Sequence, residues 1–186
     1  EVDRGDYLEF CGLLKRAARG EQNPVVFLLP KSWNRQVVLW LHEEGKAGLF
    51  HDDGTPSEAV AALLKAGCSV AGIDLVGQGE FRSGGYSPER NRLVQTYRGA
   101  WAEFSAYTYG YNWPLFSQRV QDVLALVSFV RNFEDQPEQV HLAGLDRAGL
   151  WALAAAAQAG AAVDKLAVDT GGFRFAHLRE IDHPEF

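Results

Sequence analysis

QVHLAGLDRAG, residues 139–149, is the stretch on which the fold of this chain turns. Gln139 to Leu145 is a short, largely apolar run with the character of a strand covered on both faces by other elements. Arg147 to Ala159 is alanine-rich and favours a helix. Between them the flanking positions are small: Gly144, Ala148 and Gly149. A sharp strand-to-helix turn needs small residues, because the residue at its apex is strained and neighbouring chain passes close by. That is the context of a nucleophile elbow, and Asp146 occupies the apex.

Working outward, the same alternation recurs. Gln36 to Leu41 (QVVLWL) and Ser69 to Leu75 (SVAGIDL) are further buried runs. Between them Thr55, Pro56 and Glu58 form a predicted capping box that opens a helix, and Gly67 is placed to end it. Leu115 to Phe133 carries apolar residues at Phe116, Val120, Val123, Val127 and Val130, one face of a second helix. Lys165 to Asp169 (KLAVD) gives another strand, closed by Thr170-Gly171-Gly172. Upstream, Leu8 to Lys15 and Val25 to Leu29 read as an antiparallel entry pair. Strands alternating with helices through short connections imply a mainly parallel sheet with right-handed crossovers. With the elbow, the pattern predicts one α/β domain over residues 1–186, an α/β-hydrolase-like three-layer sandwich.

The six predicted strands match the first six of a typical eight. The last two strands are therefore expected to be lacking, and a missing C-terminal segment, a partner chain or a second copy is expected to cover the exposed sheet edge. Residues 80–113, rich in Gly, Tyr, Ser and Arg, show no sustained period and form a long excursion at a strand's carboxyl end, where such loops are usually functional.

Bulk properties narrow the function. The chain has 186 residues, 47% hydrophobic, with a formal charge of -6. Its 18 basic residues are scattered, which argues against nucleic acid. The longest apolar stretch, Leu150 to Val163, is too short to span a bilayer, so no membrane partner is expected. Cys11 and Cys68 each lie beside apolar residues and are expected to be buried free thiols rather than a disulfide. Neither His-x-x-x-His nor Cys-x-x-Cys spacing occurs, so no metal or other cofactor is indicated. The chain starts at Glu1 without a signal-peptide pattern, so it is expected to derive from something longer, and its compartment is not legible.

Asp146 has two readings. Its carboxylate could attack an sp3 carbon to give an ester that water hydrolyses, or it could cap the helix that follows. His42-Glu43-Glu44-Gly45-Lys46, directly after QVVLWL, lies where this fold draws one backbone N–H of its oxyanion hole. Arg147, after the elbow residue, supplies the other, and Gly45 permits close approach. Asp74, with Gly77 and Gly79, reads as architectural. Asp169 could orient a histidine or form an Asx-type turn into Thr170-Gly171-Gly172. Of the histidines only His177 and His183 follow Asp146, both in a polar tail, and neither is expected to be a base.

Gly45-Lys46-Ala47, Gly67 through Gly79, Tyr109-Gly110-Tyr111-Asn112, Gly144 through Gly149 and Asp169 through Phe175 together resemble bacterial α/β-hydrolase-family proteins often labelled acetyl xylan esterase. The resemblance runs over nearly the whole chain. It implies hydrolysis of carbohydrate esters, with no cofactor, and a secreted or periplasmic setting. The chain departs from the family's Gly-x-Ser-x-Gly elbow at Asp146. Three functions follow as expectations: an esterase-like hydrolase, a catalytically silent domain binding carbohydrate or protein through Tyr109, Tyr111 and Trp113, or an Asp-nucleophile hydrolase of the dehalogenase or epoxide-hydrolase kind.

Overall fold

The computed structural model describes residues 1–82 and 113–177, together with the backbone of a two-stranded ribbon at 94–97 and 100–103. The strands are β1 (Val2–Asp3), β2 (Tyr7–Arg16), β3 (Glu21–Pro30), β4 (Gln36–Leu41), β5 (Ser69–Ile73), β6 (Val94–Tyr97), β7 (Ala100–Glu103), β8 (Gln139–Gly144) and β9 (Lys165–Val168). The α-helices are α1 (Glu58–Lys65), α2 (Leu115–Arg131) and α3 (Ala148–Ala159). Seven strands form one sheet in the order β1-β2-β3-β5-β4-β8-β9. β5, β4, β8 and β9 run parallel, and β1, β2 and β3 join them as antiparallel neighbours.

The period of two along each strand divides the core in two. Val37, Leu39 and Leu41 of β4, with Ala71 and Ile73 of β5, face α2 and α3. Val38 and Trp40, with Val70, face Val60 and Leu64 of α1. Helices thus cover both faces, which explains why these strands read as nearly unbroken apolar runs. At the far side, β9 is the outer strand among the described residues, with Lys165, Leu166 and Ala167 exposed.

Three expectations need correcting. Helix α1 starts at Glu58, not through a Thr55 capping box. Both the N–H and the hydroxyl of Thr55 donate to Asp53 Oδ1, at 2.9 and 2.6 Å, so the hydroxyl is committed to an Asx turn. Pro56 stays extended, bridged to Phe50. Cys68 is a buried free thiol as expected, but Cys11 is exposed, because it lies on a face of β2 that no helix covers. Part of the 80–113 excursion is regular: β6 and β7 pair antiparallel. Gly67 ends α1 as expected, at φ 84°, with its N–H donating to the Leu64 carbonyl at 2.9 Å.

Candidate functional site

β4 and β8 are parallel neighbours whose ladder ends at Leu41↔Gly144 and is prolonged by a hydrogen bond from Leu145 N–H to the Leu41 carbonyl, 3.0 Å. The chain leaves β4 toward β5 on one side while β8 lies on the other. The residues just beyond their carboxyl ends therefore meet at a topological switch point. These residues are His42 and Asp146.

Asp146 sits at φ 54°, one of two non-glycine residues with positive φ among those described. The strain is the cost of turning from strand into helix within three residues. The turn closes through backbone carbonyls: Ala148 N–H donates to Leu145 and Gly149 N–H to Asp146. No side chain caps α3. The Asp146 carboxylate instead reaches His42, with Nε2 to Oδ2 at 3.2 Å. Glu44 N–H donates to His42 Nδ1 at 3.2 Å, so Nδ1 carries no proton and Nε2–H is the donor to Asp146. The His42 side chain lies against Gly48, where a Cβ would overlap it.

The small residues around the apex are required by contact. A Cβ on Gly149 would overlap the Asp169 carbonyl oxygen, and one on Gly144 would lie 2.5 Å from the Ala152 Cβ. Asp169 N–H donates to the Gly144 carbonyl, 2.9 Å, which holds this β9 connection against the elbow.

The loop after β4 is tied down by Asp74, which is fully buried at the end of β5. Its carboxylate accepts from Lys46 N–H at 2.9 Å, Lys46 Nζ at 2.5 Å and Glu80 N–H at 3.0 Å. Gly45 and Gly79 both lie against this carboxylate, so the close approach that Gly45 permits is to Asp74. Gln78 adds a second tie, its amide donating to the carbonyls of His42 and Glu43 at 3.2 and 2.9 Å. Burial pulls the Lys46 ammonium down, but hydrogen bonds to Asp74 and Glu80 outweigh it and raise its pKa above the ordinary lysine value of 10.5. A base whose folded pKa is raised stabilises the fold fully below its unfolded value and loses that contribution as pH rises through the folded one. Urea unfolding between about pH 9 and about pH 11.5 should therefore show an alkaline loss of stability that Lys46→Met lacks.

The other expected residues are dispersed. The Asp169 carboxylate accepts from Gly171 N–H at 2.8 Å, an Asx turn. The Arg147 side chain is exposed. Trp113 is half exposed and stacks under the Arg19 guanidinium at 4.8 Å, lining a cleft of about 680 Å³ with Arg16, Asn23 and Asp122 rather than with the elbow. Tyr109, Tyr111 and His183 lie outside the described residues, and His177 is exposed in a short helical turn. His42 was legible as a loop residue but not as the side-chain partner of Asp146. Chain order directs attention to histidines after the elbow, whereas strand adjacency brings this one from 104 positions before it by register with β8. Among the described residues, no cluster of three or more His, Cys, Asp or Glu side chains is arranged for a metal.

No protein-family profile matches the sequence, and neither does any curated protein sequence. Solved structures do match. A dienelactone hydrolase from Anabaena variabilis superposes at TM-score 0.55 with 14% identity, over 87% of this chain and 62% of that one. A highly thermostable carboxyl esterase from Bacillus coagulans gives 0.55 and 18%, over 86% and 43%. A cold-adapted esterase from an Arctic intertidal metagenomic library gives 0.54 and 16%, over 89% and 59%. The fold is that of the α/β-hydrolases. At these identities the likeness concerns the fold, and the chain spans 62% or less of the length of these three structures. In this fold Asp146 stands at the apex of the turn from β8 into α3, and His42 opens the loop facing it.

Proposed function

We propose that this chain is an esterase-like domain of the α/β-hydrolase superfamily, with carbohydrate esters as its ligand class, that by itself does not turn esters over. The hydrogen bond from His42 Nε2–H to the Asp146 carboxylate at the elbow carries the reading. Acyl transfer needs a nucleophile whose acyl-protein intermediate is not much higher in energy than the substrate ester. A carboxylate attacking an acyl carbon would leave a mixed anhydride instead. His42 cannot act as base through Nε2, which already bears a proton, and Nδ1 holds the Glu44 N–H. Of the loop amides, those of Glu44, Gly45 and Lys46 donate to His42 Nδ1, the His42 carbonyl and Asp74, and so are engaged within the protein. The ester part of this reading is supported by the esterases among the fold neighbours, and the carbohydrate part by the motif resemblance alone.

Incubation with p-nitrophenyl acetate is expected to give no release above the buffer rate, while acetylated xylo-oligosaccharides shift the His42 and Asp146 resonances. Turnover abolished by Asp146→Ala would overturn the proposal. One observation favours a second reading: the Asp146 carboxylate is 56% exposed on a strained apex, as an attacking group toward an sp3 carbon would be. A covalent adduct at Asp146 after incubation with an epoxide, seen by mass spectrometry, would establish it.

A further inference from the structure

At the amino ends of the parallel strands, opposite the elbow, a cavity of about 280 Å³ lies between the sheet and the last turn of α2. Phe27, Phe129, Phe133 and Trp33 contribute its aromatic walls. The Phe129 ring stands 5.9 Å from Phe27 and 5.8 Å from Phe133, in tilted pairs. Phe129 and Phe133 are 40% and 50% exposed and adjoin each other, so the cavity opens beside an exposed apolar patch of the kind that marks ligand grooves.

Two polar residues line the cavity, Ser69 and Asp135, and of these Ser69 is the buried one. Ser69 opens β5, and by strand alternation its side chain shares the face of Ala71 and Ile73, toward α2. It lines the cavity, is only 4% exposed, and its hydroxyl has no hydrogen-bond partner among the described residues. A buried hydroxyl without a partner is disfavoured, so a ligand group that pairs with it gains more than the same group would at a surface. No lysine or arginine lines the cavity, and Asp135 at its edge disfavours anions.

We propose that this cavity is a binding site for a neutral one- or two-ring aromatic molecule bearing a single N–H or O–H, with Ser69 Oγ as its hydrogen-bond partner. The size fits: a wholly apolar cavity of about 150 Å³ holds benzene, and this one is nearly twice as large. Stacking against tilted phenylalanine rings supplies the apolar part of the affinity. Ser69 selects for the polar edge. The site is separate from the His42–Asp146 pair and does not depend on the function proposed for it.

The test compares indole with indene, which has the same shape but no N–H. Titration of the intact chain followed by NMR is expected to show saturable one-site binding of indole, with intermolecular contacts to the ring protons of Phe129 and Phe133. Indole should bind about two- to tenfold more tightly than indene, the range of one net hydrogen bond. Ser69→Ala, which removes one oxygen and leaves the walls in place, should abolish that preference while indene affinity stays unchanged. The proposal is overturned by an absence of saturable binding up to the solubility of indole, by contacts that miss Phe129 and Phe133, by equal binding of benzoate, or by a preference that survives in Ser69→Ala.

Discussion

Asp74→Ala is expected to lower the unfolding free energy by about 3–5 kcal/mol, the range found when one partner of a buried ion pair is removed. The carboxylate is fully buried and accepts from two backbone N–H groups and the Lys46 ammonium. Its loss leaves those donors facing a void that Gly45 and Gly79 cannot fill. Lys46 keeps a contact with Glu80, but that partner is 64% exposed and compensates little. Urea denaturation of Asp74→Ala and Asp74→Asn separates the contributions. Asn retains one acceptor and the shape, so it should fall between Ala and the parent chain. If Ala and Asn match the parent within about 0.5 kcal/mol, the carboxylate is not the tie between the two loops. The site should respond too, because the loop that Asp74 secures begins with His42.

Gly149→Ala is the second large effect, with an expected loss of about 3 kcal/mol or more through overpacking against backbone. Its Cβ would overlap the Asp169 carbonyl oxygen, and a backbone atom cannot rotate away as a side chain could. Asp169 is itself held by the hydrogen bond from its N–H to Gly144, so relief requires moving the end of β9 or the start of α3. Thermal unfolding should show a drop of about 10 °C or more if the chain is recovered folded at all. Gly171→Ala is the control: a Cβ there meets nothing within 4 Å, although φ is 56°. A Gly149→Ala chain as stable as the parent would mean that β9 does not pack on the elbow in this way.

Much of the fold was legible because burial on both faces leaves a simple trace. QVVLWL and SVAGI are strands, and the small residues from Gly144 to Gly149 mark the elbow that the structure contains. What escaped were features set by contacts distant in sequence. Thr55 looked like a cap until Asp53 took its hydroxyl. Cys11 looked buried because its neighbours are apolar, yet β2 lies toward the sheet's edge with one face open. The sequence shows that Gly45 permits a close approach, but not that the Asp74 side chain, 29 positions on, is a group lying against it. The pairing of His42 with Asp146 is written in the register of β4 against β8, and a strand covered on both faces reads as a nearly unbroken apolar run whose alternation does not fix that register.

That register has a consequence for the order of assembly. Gln36 Oε1 and His141 Nε2, which meet at 3.2 Å between β4 and β8, belong to residues separated by 105 positions of chain. β4 can meet β5 after the short closure through α1, but it cannot meet β8 until the whole intervening stretch has been traversed, with the entropy that closing so long a loop entails. The sheet should therefore grow from its β2-β3-β5-β4 side, leaving one edge of β4 briefly without a partner, and high contact order makes the last step slow. His42 would wait, folded into its own loop, for an aspartate that arrives only when the central pair of strands finally closes.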